Sequence, residues 1–473
     1  MTRGTNSRLP SRRRVARGGT LILGGGFAGA HVARRLGRNG TTIVSPESSM
    51  LYAPILPEVA AGAIEARHVT VPLRVMCPHA ELVLGRGTAL DEDARVVTLT
   101  TDTGEIEVEY ENLVIALGAV ASWLPIPGLA QNAVGFKNLA DAIHLRDHVL
   151  RQLDTAAANL DHAERHLAFV FVGAGYAGVE ALAEIRDLVR DALRHHPELR
   201  NVPQRWVLID LAPTILPEAP DGLGDYAAKQ LLRRGAELRL STTVTAVDEH
   251  GIDLSDGTRI ETNTVVWTAG VKANGALAAL GLPLDQRGRV IVEPTLRVEG
   301  CADIWALGDC AAVPNQATPD RIDPPTCQHA LRQARHLAKN LQGAPKPYRY
   351  RSIGQGATLG RDKGVANLLG RLNFKGTAGS VVTRAYHVSQ VPSFSRRLRV
   401  LTDGTLSFLF GRDMAALGLL ERSSPPPPST TDTCAAVHDP SRTERVTTLA
   451  SVPTPEPTAT GAQPVARFEG DPA

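Results

Sequence analysis

The chain has 473 residues, a formal net charge of +2, 43% hydrophobic residues and only 4% aromatic residues. A prior of roughly 150 residues per domain favours two or three domains, which leaves room for a large ligand site. The small net charge provides no global basic field for nucleic acid. No segment reaches the roughly 18 apolar residues of a membrane span, so we expect a soluble α/β protein whose membrane contacts are peripheral.

The cysteines form an odd, scattered set that resembles neither a disulfide framework nor a zinc site. They are Cys77, Cys301, Cys310, Cys327 and Cys434. This pattern predicts a reducing cytosol and no metal site.

Both ends of the chain have the composition of disordered segments. We predict a basic leader over residues 1–18 and a Pro/Ser/Thr-rich tail over 421–473. A secretory or twin-arginine signal is rejected, because the apolar run after the arginines is only Leu21 to Leu23. Residues 348–420 carry no nucleotide motif and read as a separate C-terminal module.

A glycine-rich turn follows the first apolar strand, Thr20–Leu23. Gly24, Gly26 and Gly29 have GxGxxG spacing and precede a helical pattern through Leu36. The three glycines permit a tight turn, the approach of a pyrophosphate and close helix packing, in that order. Free N–H groups at the positive helix end would hold the phosphates, so the motif predicts a dinucleotide site.

A second turn of the same kind lies about 150 residues further on. The strand Leu167–Val172 precedes Gly173, Gly175 and Gly178, and a helix follows to about His195. Two such units in one chain predict two bound dinucleotides.

Asp210 ends the next strand of the second unit, Trp206–Ile209. An acidic side chain at this place accepts hydrogen bonds from an adenosine ribose. No arginine follows in the Leu211-Ala212-Pro213 run, and a carboxylate without a nearby cation repels a 2′-phosphate. The pattern favours NADH over NADPH, with a structural strand-end aspartate as the alternative.

In the first unit, the matching strand Thr41–Val44 ends in Ser45, and the acidic residue arrives later, at Glu47. Either side chain could bind the ribose of the first dinucleotide. The order of the two units along the chain and the aspartate described next assign this dinucleotide as FAD.

Three further strand ends are candidates for cofactor contact. Asp309 follows an apolar strand and Gly308, at the carboxyl edge where open α/β sheets bind ligands, and could accept a hydrogen bond from a ribityl hydroxyl. Buried-type strands also end at Gly118 and Gly270, where the backbone can approach the cofactors. An ordinary turn is the alternative for each glycine.

Beyond these turns, the chain resembles the type II NADH dehydrogenases, which are single-subunit, non-proton-pumping NADH:quinone oxidoreductases. The resemblance extends from about Thr20 to Leu420. Its more discriminating parts are Trp267-Thr268-Ala269-Gly270-Val271 and Pro324-Pro325-Thr326-Cys327-Gln328. It also includes Val44-Ser45-Pro46, Leu51-Tyr52-Ala53-Pro54, Val179-Glu180 and Leu307-Gly308-Asp309-Cys310.

The resemblance implies an α/β fold with two Rossmann-like dinucleotide-binding domains, one inserted into the other, plus a small C-terminal module. The implied FAD-binding domain occupies 19–140 and 273–347, the NADH-binding domain 141–272, and the membrane-association module 348–420.

Thr326 is a good N-cap for a helix that includes Gln328 to Leu341. The resemblance places the N-terminus of this helix at the flavin and Gln328 beside the quinone; a solvated helix residue is the alternative. Many relatives carry a second Gln four residues on, where this chain has Arg332, and Cys327 replaces the usual Ala. These departures leave the acceptor less securely assigned than the two cofactors.

Glu180 and Glu184 lie one turn apart on the second nucleotide helix. The resemblance places Glu180 near the flavin and quinone, where a carboxylate could relay a proton. Helix capping or dipole compensation is the alternative, and we assign Glu184 a structural role.

The cysteine positions bear on related enzymes. A disulfide reductase needs a redox pair on the helix after the first turn, and this chain has none there. Sulfide:quinone reductases use flavin-adjacent cysteines in two segments; Cys310 and Cys327 leave that class open but disfavoured.

The C-terminal module interleaves basic and apolar residues, as segments at an anionic bilayer interface do. A core-packing module with a solvated basic face is the alternative. The basic residues are Arg361, Lys363, Arg371, Lys375, Arg384, Arg396, Arg397 and Arg399. The apolar ones include Leu368, Leu369, Phe374, Phe394, Leu398, Phe408, Leu409 and Phe410.

Together these features predict an FAD-dependent, non-electrogenic NADH:quinone oxidoreductase of a respiratory electron-transport chain. We expect a cytoplasmic protein, peripheral on the inner face of the cell membrane, and leave a homodimer open. A soluble NAD(P)H flavoprotein reductase and an NADH-sensing flavin-binding protein are the alternative functions.

Overall fold

The computed structural model describes residues 12–220 and 222–418. The α-helices in these residues are α1 (Phe27–Leu36), α2 (Leu56–Ala60), α3 (Leu73–Met76), α4 (Leu129–Asn132), α5 (Leu139–Ala158), α6 (Ala163–His166), α7 (Tyr176–Ala192), α8 (Leu223–Arg233), α9 (Cys327–Asn340), α10 (Gly376–Gln390) and α11 (Phe394–Phe410). None of them is long and apolar enough to cross a bilayer. The predicted tail, 421–473, lies outside the described residues.

A five-stranded parallel sheet contains the first glycine-rich turn. Its spatial order is Ile304–Ala306, Asn112–Ile115, Thr20–Leu23, Thr41–Ser45 and Ala80–Leu84. The first strand in the chain, Thr20–Leu23, is central and buried throughout, as expected for a parallel strand covered on both faces. The strands that follow it in the chain are added on opposite sides of it, and this change of side opens a crevice at the carboxyl end of the strand.

A second five-stranded parallel sheet repeats this plan. Its order is Val134–Gly135, Thr264–Trp267, Ala168–Val172, Arg205–Ile209 and Ala236–Arg239. The strand before the second glycine-rich turn is again central and fully buried. The two sheets confirm the predicted pair of Rossmann-like units.

Smaller sheets surround these two cores. A four-stranded sheet contains Arg12–Val15, Gly104–Glu109, Val96–Thr101 and Arg86–Asp91. Three-stranded sheets contain Val244–Asp248, Gly251–Leu254 and Arg259–Glu261, and Gly354–Thr358, Gly364–Leu368 and Leu372–Lys375. The strand pairs are Ser49–Leu51 with Thr70–Pro72, Ala119–Ala121 with Val271–Ala273, Val290–Ile291 with Ala311–Ala312, and Pro314–Asn315 with Thr318–Ile322.

The prediction of a disordered leader is wrong for residues 12–18, and residues 1–11 lie outside the described residues. Arg12–Val15 pairs in parallel with Gly104–Glu109, and the Arg13 guanidinium contacts the Glu109 carboxylate. The basic run is ordered because its acidic partner strand lies far away in the sequence, where local composition gives no signal.

The predicted boundary at residues 140 and 141 falls inside α5. The second sheet begins earlier, at Val134–Gly135, which pairs with Thr264–Trp267. Two residues are too short for a strand pattern, so only the tertiary pairing reveals this edge.

The two turns show why glycine is needed. A Cβ at Gly29 would lie 1.9 Å from the Gly24 carbonyl oxygen, and one at Gly178 would lie 1.8 Å from that of Gly173. Around Gly26, in contrast, nothing lies within 4 Å of a Cβ. The third glycine therefore serves helix packing, while the second leaves open space for a ligand.

Candidate active site

One large cavity, of about 710 Å³, lies where the first sheet, the N-terminus of α7 and the C-terminal module meet. The predicted site residues on its wall are Gly24, Gly26, Ser45, Glu47, Gly118, Glu180, Gly308, Asp309 and Gln328. The fold therefore brings both predicted catalytic residues to the same cavity as the first glycine-rich turn.

The remaining predicted residues do not line this cavity. They are Gly29, Gly173, Gly175, Gly178, Asp210 and Gly270. Except for Gly29, which packs α1 on its strand, they belong to the second unit. Tyr176 and Ala177, at the start of α7, do line the cavity, so the second turn adjoins it.

Ser45 and Glu47 differ in their freedom to bind a ligand. The buried Ser45 hydroxyl accepts the Glu47 backbone N–H at 3.2 Å, whereas the Glu47 side chain is exposed at the cavity rim. The serine positions the loop, and the carboxylate is the freer hydrogen-bond acceptor.

Asp309 stands on the cavity wall, where burial raises the pKa of its carboxyl above the usual range. The Lys137 ammonium, 3.9 Å from Oδ2, opposes this shift. The preceding residue, Gly308, has a φ of 75° and donates its N–H to Gln333 Oε1 at 2.8 Å. Gln333, which the sequence analysis left without a role, also donates to the buried Asp323 at 2.9 Å, so it fixes the loop carrying Asp309.

Asp210 clamps the second glycine-rich turn. Its Oδ2 accepts the Ala174 N–H at 2.5 Å, and Oδ1 accepts the Ala212 N–H at 2.7 Å. Each carboxylate oxygen has a second lone pair for a ribose hydroxyl. The structure also places Arg239 on the neighbouring strand, 3.5 Å from Glu237, a cation that the local sequence after Asp210 could not reveal.

Gln328, in the first turn of α9, is held by the C-terminal module. Its Nε2 donates to the Gly354 carbonyl at 3.1 Å and to the Tyr386 hydroxyl at 3.2 Å, while Oε1 accepts from Ser352 at 3.1 Å. The predicted N-cap is present, because the Thr326 hydroxyl accepts the His329 N–H at 3.3 Å. The positive end of α9 therefore faces the cavity.

Tyr386 and His387 are cavity residues that sequence reasoning missed. The His387 Nδ1 is buried without a hydrogen-bond partner, and burial lowers the pKa of the imidazole to about 4. At neutral pH the ring is uncharged and carries one N–H donor. Both residues lie on α10, a helix distant in sequence from every nucleotide motif.

The Glu180 carboxylate lies between α7 and the C-terminal module. Its Oε1 accepts the Thr358 N–H at 2.8 Å and the Thr358 hydroxyl at 3.2 Å. Burial and the neighbouring Glu58 nevertheless raise the pKa of Glu180 well above its usual value. The raised pKa favours the protonated form of this carboxyl, which lies on the wall of the cavity.

Four acidic residues follow a single face of α7: Glu180, Glu184, Asp187 and Asp191. Asp187 accepts the Arg361 N–H at 2.7 Å, and Glu184 contacts the Arg384 and Arg412 guanidinium groups at 2.8 and 2.5 Å. Burial alone would raise the pKa of Glu184, but Arg412 and Arg384 outweigh it and lower the pKa. These four acidic residues, the acidic stripe of α7, join α7 to the C-terminal module. Their helical spacing in the sequence is the signal that could have predicted a shared face.

This stripe confirms a structural role for Glu184 and corrects the reading of two basic residues. Arg384 pairs with buried carboxylates rather than facing outward. Arg361 donates to the Ser407 carbonyl at 3.0 Å and so caps the C-terminus of α11.

Cys310 and Cys327 are free thiols in the described residues. Burial raises the pKa of Cys310 to about 11 and that of Cys327 to about 12. Both are protonated at neutral pH and therefore poor nucleophiles, which disfavours sulfide chemistry.

The comparisons with known proteins agree with this geometry. A family model described as pyridine nucleotide-disulphide oxidoreductase matches residues 19–334. The chain is 31% identical over 430 residues to the type II NADH:quinone oxidoreductase Ndh of Mycobacterium tuberculosis, covering 85% of this chain and 89% of that protein. It is 28% identical to the mitochondrial internal alternative NAD(P)H-ubiquinone oxidoreductase A1 of Arabidopsis thaliana, covering 84% of this chain and 85% of that one.

Among solved structures, NDH2 from Plasmodium falciparum in complex with NADH has the same fold. The TM-score is 0.77 at 17% identity, and the match covers 84% of this chain and 99% of that chain.

Two parallel sheets, each with a glycine-rich turn, and a shared cavity define a two-dinucleotide-binding flavoprotein oxidoreductase. The chain belongs to the pyridine nucleotide-disulphide oxidoreductase family and, within it, to the type II NADH:quinone oxidoreductases. Membership of this family confirms the predicted fold class, FAD as the cofactor, NADH as the co-substrate and quinone reduction as the reaction. The two alternative functions, a soluble NAD(P)H flavoprotein reductase and an NADH-sensing flavin-binding protein, gain no support.

Proposed function

We propose that the chain oxidises NADH and reduces a membrane quinone through FAD bound in the large cavity, without moving ions across the membrane. The overall reaction is NADH + H⁺ + quinone → NAD⁺ + quinol. The observation that carries the proposal is that the first glycine-rich turn, the start of α7 and the Gln328–Tyr386 pair line a single cavity.

The cavity residues fit FAD. Gly24 has a φ of 114°, and Gly26 leaves open space at the N-terminus of α1 for a pyrophosphate. We assign Glu47 to the adenosine ribose, with Ser45 holding its loop, and Asp309 to the ribityl chain. Gly118 and Gly308 let the backbone approach. FAD bound by these residues would supply the hydride-accepting and two-electron-donating chemistry between NADH and the quinone.

The second unit supplies the NADH site in this proposal. Gly173 and Gly175 form the turn that meets the pyrophosphate, and Gly178 packs α7 on its strand. Asp210 holds that turn and accepts the adenosine ribose hydroxyls. Gly270, with a φ of 87°, ends the neighbouring strand and lets the nicotinamide half approach.

Gln328, Tyr386 and His387 are assigned to the quinone head group. A quinone carbonyl accepts hydrogen bonds, and the neutral imidazole and the phenol supply donors on the cavity wall. Apolar residues beside them, including Ile353 and Val382, suit the ring and the start of its tail.

Glu180 supplies the proton of the overall reaction. Both hydrogen bonds from Thr358 go to Oε1, which leaves Oε2 as the oxygen that carries the proton. A carboxyl with a raised pKa that lines the same cavity as the proposed quinone site is suited to general acid catalysis.

Peripheral membrane association is assigned to α11. Its apolar side chains are exposed, with Phe394 at 79% and Phe410 at 82%. The others are Leu398, Leu401, Leu406, Phe408 and Leu409. Such a helix is suited to lie in a bilayer interface with its apolar face inward, close to the quinone in the bilayer. We assign the cytoplasmic face of the cell membrane as the surface that it contacts. A homodimer through the same face is the alternative occupant.

Steady-state NADH oxidation by the purified, FAD-loaded full chain tests this function. A water-soluble ubiquinone analogue is expected to accelerate NADH consumption far above the rate with oxygen alone, with one quinol formed per NADH. No acceleration by any quinone would overturn the proposal. Sedimentation with and without anionic vesicles separates membrane binding from dimer formation.

A further inference from the structure

A cluster of four arginines lies where α1 packs against α9. It consists of Arg34 and Arg35 on α1, and Arg332 and Arg335 on α9. In residues 12–220 and 222–418, no carboxylate lies within 4.0 Å of their guanidinium nitrogens. The Nε atoms of Arg332 and Arg335 are buried without a hydrogen-bond partner. In the described residues these positive charges therefore have no carboxylate partner, and the Arg332 guanidinium instead lies over the Tyr350 ring, 5.4 Å from its centroid.

The arginines lie close enough to repel one another. Burial lowers the pKa of Arg35, and the charges of Arg335, Arg34 and Arg332 lower it further. The pKa of Arg335 is lowered by burial and by Arg332. Arg332 and Arg335 are half-buried while Arg34 and Arg35 reach solvent, so an external anion can approach the cluster and offset its charge.

The position of the cluster indicates the source of that anion. The Arg34 Nη1 donates to the Pro392 carbonyl at 3.1 Å, in the link between α10 and α11. Two residues further on, Phe394 begins the exposed apolar stripe of α11. A molecule with a phosphate at the cluster could lay apolar chains along this stripe, which a free phosphate ion could not use.

We propose that Arg34, Arg35, Arg332 and Arg335 bind the phosphate of an anionic phospholipid headgroup. Guanidinium groups pair with phosphate oxygens through two parallel hydrogen bonds, and the exposed side chains of Arg34 and Arg35 are the members of the cluster that a headgroup reaches directly. The proposal rests on the peripheral membrane association of α11 and names the lipid class that it meets.

Vesicle binding by the FAD-loaded full chain tests the headgroup site. The triple variant Arg34→Gln, Arg35→Gln, Arg335→Gln is compared with the matched control Arg200→Gln, Arg233→Gln, Arg287→Gln, which removes three exposed charges elsewhere. Binding to vesicles of equal parts phosphatidylcholine and phosphatidylglycerol is expected to weaken on the order of 100-fold in the first variant only. Lysine at the same three positions is expected to restore most of the binding. Flavin absorbance and the unfolding temperature verify that each variant folds.

The possible outcomes distinguish a failure of the headgroup site from a failure of the proposed membrane association of α11. If the unaltered chain does not bind anionic vesicles, both proposals fail. If it binds and the triple variant binds equally well, membrane association stands and the headgroup site is overturned. A water-soluble, short-chain phosphatidylglycerol is expected to raise the unfolding temperature of the unaltered chain but not of the triple variant. Equal stabilisation by inorganic phosphate at the same concentration would overturn the lipid as the ligand.

Discussion

Glu180 accepts two hydrogen bonds from Thr358, one from the backbone N–H at 2.8 Å and one from the hydroxyl at 3.2 Å. Glu180 lies on the second nucleotide helix, and Thr358 ends the first strand of the C-terminal module. The two hydrogen bonds therefore join α7 to the C-terminal module on the wall of the cavity. Both bonds go to Oε1, so Oε2 is the oxygen that we propose to carry a proton.

Substitution of this carboxyl separates proton transfer from electron transfer. In Glu180→Gln the amide oxygen still accepts from Thr358, but no titratable proton remains. The kcat with a quinone is expected to fall on the order of 100-fold. The rate with ferricyanide, which takes electrons without protons, is expected to stay unchanged. Glu218→Gln, an exposed carboxyl on the same cavity, is the control; an equal loss with both acceptors would remove the proton role.

Glu58 predicts a specific dependence of stability on pH. It is buried beside Arg384, Glu184, Arg412 and Glu180, and burial raises its pKa from 4.5 to about 7. Because the folded chain holds this proton more tightly than the unfolded chain, its contribution to stability is fully present below pH 4.5 and is lost as pH rises through 7. The loss amounts to roughly 3 kcal/mol.

Glu58→Gln imitates the protonated carboxyl at every pH. The difference in unfolding free energy between this variant and the unaltered chain is expected to shift in favour of the variant between pH 5 and pH 8. Urea unfolding at several pH values measures the difference, and a flat difference would contradict the assignment of a raised pKa.

The buried pair of Glu184 and Arg412 predicts a large loss of stability. Both side chains are almost fully buried, so Glu184→Gln leaves Arg412 and Arg384 without their common counter-charge. The free energy of unfolding is expected to fall by about 3–5 kcal/mol in a urea titration. Asp248→Asn breaks the exposed pair with Arg259 and is expected to lower it by less than about 1 kcal/mol. Similar losses in both variants would contradict this account.

Asp210 predicts the nicotinamide preference. Asp210→Ala removes the hydrogen bond that holds Ala174 and the proposed acceptor for the ribose hydroxyls. The KM for NADH is expected to rise roughly 10- to 100-fold. The ratio of kcat/KM for NADH to kcat/KM for NADPH is expected to fall. FAD content, read from the absorbance, is expected to stay constant because Asp210 does not line the FAD cavity. An unchanged ratio of kcat/KM for the two nicotinamides would exclude this role.

Substitution of the exposed apolar residues of α11 is expected to weaken membrane binding while the protein still folds. Phe394→Ser together with Phe410→Ser is expected to weaken vesicle partition by about 1.5–3 kcal/mol per residue. The unfolding temperature is expected to change little, because both rings are exposed. Leu160→Ser and Leu211→Ser, at exposed leucines in other parts of the chain, form the control variant. Unaltered partition would place the membrane contact elsewhere.

The sequence by itself determined the two glycine-rich turns, the strands before them and the helices after them. These signals are local: Gly24 and Gly29, or Gly173 and Gly178, meet within a single strand-turn-helix unit, so their spacing encodes their geometry. The positions of Asp309 and Gln328 followed from strand and helix ends for the same reason.

Only the tertiary structure decided what surrounds those residues. The pKa of Glu180 is raised because the carboxyl is buried and because Glu58, more than a hundred residues earlier, is packed beside it. Tyr386, His387 and the four-arginine cluster come from helices that no nucleotide motif marks. Pairing, burial and like-charge contact depend on distances between remote segments, and a linear pattern contains no measure of those distances.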